Sequence, residues 1–293
     1  MDTISSSTHD NLGCRQANAL NNATNSPHVV VALVYGDPRY FQLADGSYRY
    51  GATAYGTSPV SVGQIATAVE NFVNGFARCL ADRNASVDLA FGVTNHAGAT
   101  MNPIGLGLGQ AWASGVKLVD DYIYGHGYSG FMRAYGAGDL ELEYNDAAHT
   151  RGFVDGFNSP TFEPLKVLGD STGCPSTLST ANCGGGGFSW TQTDVHYINY
   201  GAAPSSSIPQ NYNTSGTTAK QRYVLAKNKG TKYQGTVTQY AACLQRGGCS
   251  GVNNTPQQGF RLLDDQLNSD AATATTLYYA TDLKYCDSNG GIC

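Results

Sequence analysis

The sequence predicts an α/β fold of the (β/α)8-type TIM barrel, with long mouth loops and disulfides. Three observations carry it. Strand-sized apolar runs alternate with helix-period segments along most of the chain. The first run, His28-Val-Val-Val-Ala-Leu-Val-Tyr35, is apolar throughout and β-branched, as a parallel strand buried on both faces requires. No glycine fingerprint follows it: Tyr35-Gly-Asp-Pro-Arg39 puts Asp and Pro where an open, doubly wound nucleotide fold would cradle phosphate, which favours the barrel.

With 293 residues, 41% of them hydrophobic, the chain can bury one large core, and barrels of this length are routinely one domain. The expected division is a polar arm over residues 1–27, rich in Ser, Asn and Thr, and a single barrel domain over residues 28–293. Residues 38–60 carry Tyr40, Phe41, Tyr48, Tyr50 and Tyr55 among Gly and Ser, a long loop or hairpin on the barrel mouth with room for an eighth strand. A capping box, Ser61 with Gln64, opens a helix whose Ile65, Val69, Phe72, Phe76 and Leu80 recur at spacings of three and four. Val87 to Thr94 is the next strand, and Trp112, Val116, Val119 and Ile123 mark the next helix. Further strands are expected at Phe131 to Glu143, Pro164 to Gly169, Val195 to Tyr200, Tyr233 to Tyr240 and Leu277 to Leu283. Thr255 as cap, Pro256 at the first helical position and Gln258 closing the box set the start of the last helix. Gly184 to Gly187 lies between Cys183 and Phe188, not between a strand and a helix, so it is a flexible loop and no phosphate site.

Only 13% of residues are charged and the net charge is -5, which gives no basic footprint for nucleic acid. Apolar stretches such as Val29 to Val34 are far shorter than the roughly 20 residues that span a bilayer. The eight cysteines contain no C-x-x-C pair, so they read as disulfides of a secreted, extracellular protein. Short separations pair Cys174 with Cys183, Cys243 with Cys249 and Cys286 with Cys293, which leaves Cys14 with Cys79. Met1 is followed by a polar run, Asp2 to Asp10, in place of an apolar leader, as expected once a leader has been removed.

The chemistry points to Tyr135-Gly-Ala-Gly-Asp-Leu-Glu-Leu-Glu-Tyr-Asn145. On a strand, Asp139, Glu141 and Glu143 share one face and Leu140 and Leu142 the other. Carboxylates spaced by about 7 Å along that face disfavour joint ionisation, so one stays protonated beside an ionised neighbour. Glycoside hydrolysis uses such a pair. The competing expectation is an ion network with Arg133 or Arg151. Asp282, ending the last strand, is the fourth catalytic candidate. Other strand ends supply substrate-binding candidates: Tyr35 and Asp37, Asn95 with His96, and Gln239 with Tyr240. Among 19 tyrosines and two tryptophans, Trp112 sits at a core phase of its helix, and Trp190 is either a sugar platform or a loop anchor. Scattered histidines give no catalytic metal site, no cofactor is expected, and no G-x-S-x-G elbow marks a serine hydrolase.

These segments resemble an uncharacterised family of secreted bacterial glycoside-hydrolase-like barrels. The matching stretches are Gly-Ala-Gly-Asp139-Leu-Glu141, Ser-Trp190-Thr-Gln-Thr-Asp194, Tyr200-Gly-Ala, Thr238-Gln-Tyr-Ala-Ala-Cys243 with Cys249, and Thr281-Asp282. The resemblance implies the barrel and carries no particular reaction. The D-x-E step is also similar to the strand-end pair of muramidase barrels. Gly136 to Glu143 resembles the chitinase-type D-x-x-D-x-D-x-E motif, with Glu143 at the acid position, but Gly136 and Glu141 stand where that motif has Asp. The expected function is therefore hydrolysis of a polysaccharide, with Glu141 as acid and Asp139 as nucleophile, base or neighbour. The alternative is a non-catalytic carbohydrate-binding or surface-assembly protein. Neither the glycan nor an oligomeric state is specified by these residues.

Overall fold

The computed structural model describes residues 4–23, 27–53, 58–81, 84–96, 102–159 and 163–284. Helix α1 (Ser6–Asn21) leads to β1 (His28–Val34). An antiparallel hairpin of β2 (Asp37–Gln42) and β3 (Tyr48–Thr53), extended by β4 (Val60–Ser61), precedes α2 (Val62–Cys79) and β5 (Ser86–Thr94). Then come α3 (Leu106–Gly125), β6 (Met132–Asp139), α4 (Ala147–Phe157) and β7 (Leu165–Val167). A small hairpin of β8 (Cys183–Gly185) and β9 (Phe188–Trp190) is followed by α5 (Gln192–His196), β10 (Ser205–Ser207), α6 (Thr217–Lys229) and β11 (Gly235–Thr238). The last elements are α7 (Tyr240–Gln245), α8 (Pro256–Asn268) and β12 (Tyr279–Asp282).

This is a mixed α/β fold with eight helices among the described residues and a five-stranded parallel sheet in the order β1-β5-β6-β7-β10. β11 and β12 form a second parallel pair, and single bridges from Ser207 to Tyr233 and from Gln210 to Val237 tie it to the chain leaving β10. β12 also comes up beside β1: the Thr281 hydroxyl donates to the Val30 carbonyl at 3.4 Å, and His28 Nε2 lies 2.9 Å from the Tyr279 hydroxyl.

Strand alternation sorts the side chains into two cores. Val87, Leu89, Phe91 and Val93 of β5 join the helix side, where Ile65, Phe72 and Phe76 of α2 and Trp112 and Val116 of α3 are buried. The other strand faces meet each other. Val30, Ala90, Ala137, Leu168, Ile208 and Val237 form a second cluster, with Tyr279 packed on it, so each of the seven parallel strands contributes itself or the residue just past it.

Several expectations are met. The β1, β5, β11 and β12 segments fall where the apolar runs placed them, and both capping boxes are formed, Ser61 with Gln64 and Thr255 with Gln258. Three disulfides join Cys14–Cys79, Cys174–Cys183 and Cys243–Cys249. Cys286 and Cys293 lie outside the described residues. The Tyr-rich segment is a hairpin whose strands pair only with one another, so it supplies no eighth strand to the parallel sheet. The glycine run, expected as a loop, is half strand: Gly184 and Gly185 pair within β8, and Gly186 and Gly187, at φ of 56° and 86°, make the β8–β9 turn.

Other expectations are corrected. Val195 to Tyr200 is not a strand. Thr191 and Asp194 form a third capping box, and α5 runs into a π-helical turn, Tyr197–Gly201, which buries Val195, Ile198 and Asn199 on one side. The strand of that region is β10, three serines with no apolar signal. Residues 6–21, inside the expected polar arm, are helix α1. Its apolar content is low, and close approach holds it instead: Gly13 and Gly75 leave no room for a Cβ against the carbonyls of Phe72 and Asp10, so the α1 and α2 backbones touch. Arg78 forks onto Asp10 at 2.8 and 2.7 Å, and the Cys14–Cys79 bond locks the pair.

Candidate active site

The C-terminal ends of β5, β6, β7 and β10 converge on a group of carboxyl side chains. β6 ends at Asp139, and the chain then turns through Leu142–Tyr144 instead of continuing as a strand to Glu143. Asn95, just beyond β5 and fully buried, fixes this turn. Its Oδ1 accepts from the Glu141 N–H at 2.9 Å, and its Nδ2 donates to the Glu141 carbonyl at 3.0 Å and to Thr150 Oγ1 at 3.1 Å. Leu140 and Leu142 point into the helix-side core, which leaves Glu141 facing the interior. Gln210, three residues past β10, reaches across: its Nε2 donates to Asp139 Oδ1 at 2.7 Å and to Glu141 Oε1 at 2.9 Å. Gly169 has no space for a Cβ against the Leu140 carbonyl, so the chain leaving β7 runs against the same turn and brings Asp170 to the pair.

The electrostatics follow from this crowding. Glu141 is 9% exposed, and burial, then the charges of Asp139 and Asp170, push its carboxyl above the ordinary range, against the opposing hydrogen bonds of Gln210 and Tyr144. Asp139 is raised as well, by burial and by Asp170, with the Gln210 amide opposing. Burial and the neighbouring carboxylates push the Tyr144 hydroxyl up, so it remains a hydrogen-bond donor to Glu141. One Asp170 oxygen accepts from the Thr172 hydroxyl; the other is buried with no partner among the described residues. Arg222, fully buried on α6, donates to the Gly169 carbonyl at 2.8 Å and sets a positive charge beside Asp170. A track leads outward from Glu141 through Tyr144 and His96, whose rings meet edge-on at 5.3 Å, to Asp37, whose Oδ1 lies 3.4 Å from His96 Nδ1.

Asp139 and Glu141 are thus together, while the other candidates take different places. The ion-network expectation fails, since Arg151 pairs with Asp194 at 2.8 Å and Arg133 lies over the Tyr135 ring. Glu143 is exposed on the turn, because the strand has ended before it, and does not join the pair. Asp282 is a helix cap: its oxygens accept from the N–H groups of Tyr240 and Ala241 at 2.8 and 2.9 Å and from Thr238 Oγ1 at 2.7 Å. Tyr240 accordingly begins α7, and Gln239 spends its amide on the Val252 carbonyl at 3.1 Å. Tyr35 is fully buried with its hydroxyl 2.8 Å from His9 Nε2, and so is unavailable to a ligand. Trp190 is the loop anchor of the two alternatives, since its fully buried indole N–H donates to the carbonyls of Leu142 and Asn145 at 3.0 and 3.1 Å. Asn95 positions Glu141 from behind, and Asp37 lies half-buried on the rim between Arg39 and His96.

Asp170, Gln210 and Tyr144 are the additions. Asp170 follows the expected strand Pro164 to Gly169, so the strand-end rule applied to Asn95 and Asp282 also reaches it. Gln210 follows a strand with no hydrophobic signal. Among the described residues, no three His, Cys, Asp or Glu side chains are arranged to hold a metal ion. No family model, curated protein or solved structure matches the chain.

Proposed function

We propose that the chain is a secreted glycoside hydrolase acting on a polysaccharide, with Glu141 as general acid and Asp139 as nucleophile. The observation that carries the reading is the Gln210 amide shared by the two carboxyl groups. Cleavage of a glycosidic bond needs a carboxyl that keeps its proton for the leaving sugar and a second that attacks. Burial and two flanking carboxylates give Glu141 the first property. Two hydrogen bonds from one nitrogen keep the bonded oxygens closer than the roughly 6.5 Å at which inverting pairs begin, which favours retention. The scaffold supported by the strand course is a (β/α) barrel: the five-stranded sheet, its bridges to β11, the β11–β12 pair and the β12–β1 contacts follow one another around a shared inner cluster. Barrel enzymes work at the strand C-terminal ends, where these carboxyls lie. The three disulfides support an oxidising, extracellular setting, and no helix among the described residues is long and apolar enough to cross a membrane.

A second reading, a carbohydrate-binding protein without catalysis, draws on the same amide, which already satisfies both carboxyls. Glu141→Gln separates the two. The substitution keeps volume and hydrogen bonding and deletes the proton, so release of reducing ends from cell-wall and plant polysaccharides should fall by about 10² to 10⁴ with no loss of folded protein. Undiminished release by the variant, or glycan bound but cut by neither form, overturns the hydrolase reading.

A further inference from the structure

A line of side chains continues the carboxyl pair toward solvent. Gln210 spans Asp139 and Glu141. Tyr144 comes next, on the far side of the pair, because its hydroxyl bonds Glu141 and not Asp139. The Tyr144 ring meets the His96 ring edge-on at 5.3 Å. His96 stands just past β5, where its N–H donates to Thr94 Oγ1 at 3.2 Å, and its side chain is 49% exposed. The imidazole is oriented from behind: its Nδ1 lies 3.4 Å from Asp37 Oδ1, and Arg39 Nη2 holds the other Asp37 oxygen at 3.4 Å. A carboxylate beside Nδ1 keeps the ring proton on that nitrogen. Nε2 is then an acceptor, and no described residue bonds it.

We propose that Tyr144 and His96 form the subsite of the departing sugar unit, with His96 Nε2 accepting a hydroxyl of a sugar that carries no anionic group. The inference rests on the hydrolase reading and assigns one side of that site. The order of the groups selects the occupant. In the first step the bond from C1 to the linking oxygen breaks, Asp139 bonds to C1, and the Glu141 proton passes to the oxygen. The sugar that keeps C1 therefore lies on the Asp139 side of Glu141. The sugar that leaves lies on the other side, where Tyr144 and His96 stand. A pyranose offers it hydroxyls for the imidazole nitrogen and a C–H face for the aromatic rings. Glu143, exposed beside Tyr144, and the three carboxyls behind it would repel a uronate or a sulfated unit.

The test compares polymers with activated substrates. Release of reducing ends from hydroxyethyl cellulose, mixed-linkage β-glucan, glycol chitin or arabinoxylan requires a departing sugar. Release of dinitrophenol from 2,4-dinitrophenyl cellobioside, chitobioside or xylobioside does not, because that leaving group has no sugar hydroxyls and needs no proton. His96→Ala should lower the ratio of polymer to aryl-glycoside kcat/KM about tenfold, the worth of one hydrogen bond. His96→Gln, whose amide reaches the place of Nε2, should recover most of the ratio. An equal fall on both substrates, or an unchanged ratio, overturns the subsite and leaves the hydrolase reading. If wild type cuts a polymer but no aryl glycoside, retardation of Glu141→Gln in native gels of that polymer decides. Adding His96→Ala should weaken it about tenfold and adding His96→Gln should not, whereas retardation indifferent to His96 overturns the subsite. Preferential cleavage of polygalacturonate overturns the charge assignment. No release from any substrate by wild type removes the hydrolase reading and the subsite with it.

Discussion

The interior lined by the parallel strands is charged at both ends, and the two ends are built on opposite principles. Near the strand N-termini the Lys166 ammonium, 3% exposed as a residue, lies 3.2 Å from Asp88 Oδ2 and donates to Gln234 Oε1 at 2.8 Å. The Tyr135 ring lies 4.5 Å from it, and His28 approaches Asp88 at 3.4 Å. Each charge there has an opposite partner, although burial still lowers the lysine's proton affinity. At the other end three carboxyl groups crowd together, and the cation beside them, Arg222, spends its donors on the Gly169 carbonyl and on Tyr233 and not on a carboxylate among the described residues. A fold can satisfy buried charge completely, as the lysine end shows. The surplus at the carboxylate end therefore works against stability, and such surpluses gather where proton transfer is needed.

The contrast is broken most severely at the lysine. Lys166→Met should strand Asp88 and destabilise the fold by about 3–5 kcal/mol in urea titrations, while Lys166→Met with Asp88→Leu should recover most of the loss. A neutral single substitution would mean that the pair is not what holds that end. The carboxylate end should answer with the opposite sign. Glu141→Gln should raise the melting temperature at neutral pH by on the order of a few degrees. The sign follows from linkage: folding raises the proton affinity of Glu141, so stability declines as pH climbs past the unfolded value near 4 and the unfolded chain alone gives up its proton. Wild type and variant should melt together below about pH 4 and diverge above it. A parallel pair of pH curves would show that Glu141 ionises normally. The smallest effect belongs to Asp282, which shares the strand-end position but caps a helix. Asp282→Ala should cost about 1 kcal/mol and leave glycan turnover unchanged, so a loss of turnover larger than the loss of folded protein would return Asp282 to the site.

Much of this was legible in local pattern. The D-x-E step places Asp139 and Glu141 because both sit at the end of a strand whose alternation is visible. The same pattern overruns at Glu143, since nothing local announces that Asn95, 46 residues away, clamps the backbone of Glu141 into a turn. Gln210 is invisible for a related reason. It is delivered by Ser205–Ser207, a strand held by its neighbours' hydrogen bonds and not by apolar side chains. Helix α1 escapes a composition-based reading because glycine contacts and a disulfide substitute for the apolar area on which composition depends.

His28 and Tyr279 meet across 251 residues of chain, and so do Val30 and Thr281. Contacts of such separation form late, because the entropy of closing the intervening loop must be met before they contribute. During synthesis, the strands that carry Asn95, Asp139, Asp170 and Gln210 will all have emerged while β12 is still unmade. The carboxylate cluster can then assemble on an incomplete sheet, with β12 reaching β1 only afterwards. Truncation before Tyr279 should consequently yield a species with much of its helix content and an exposed strand edge, prone to aggregate.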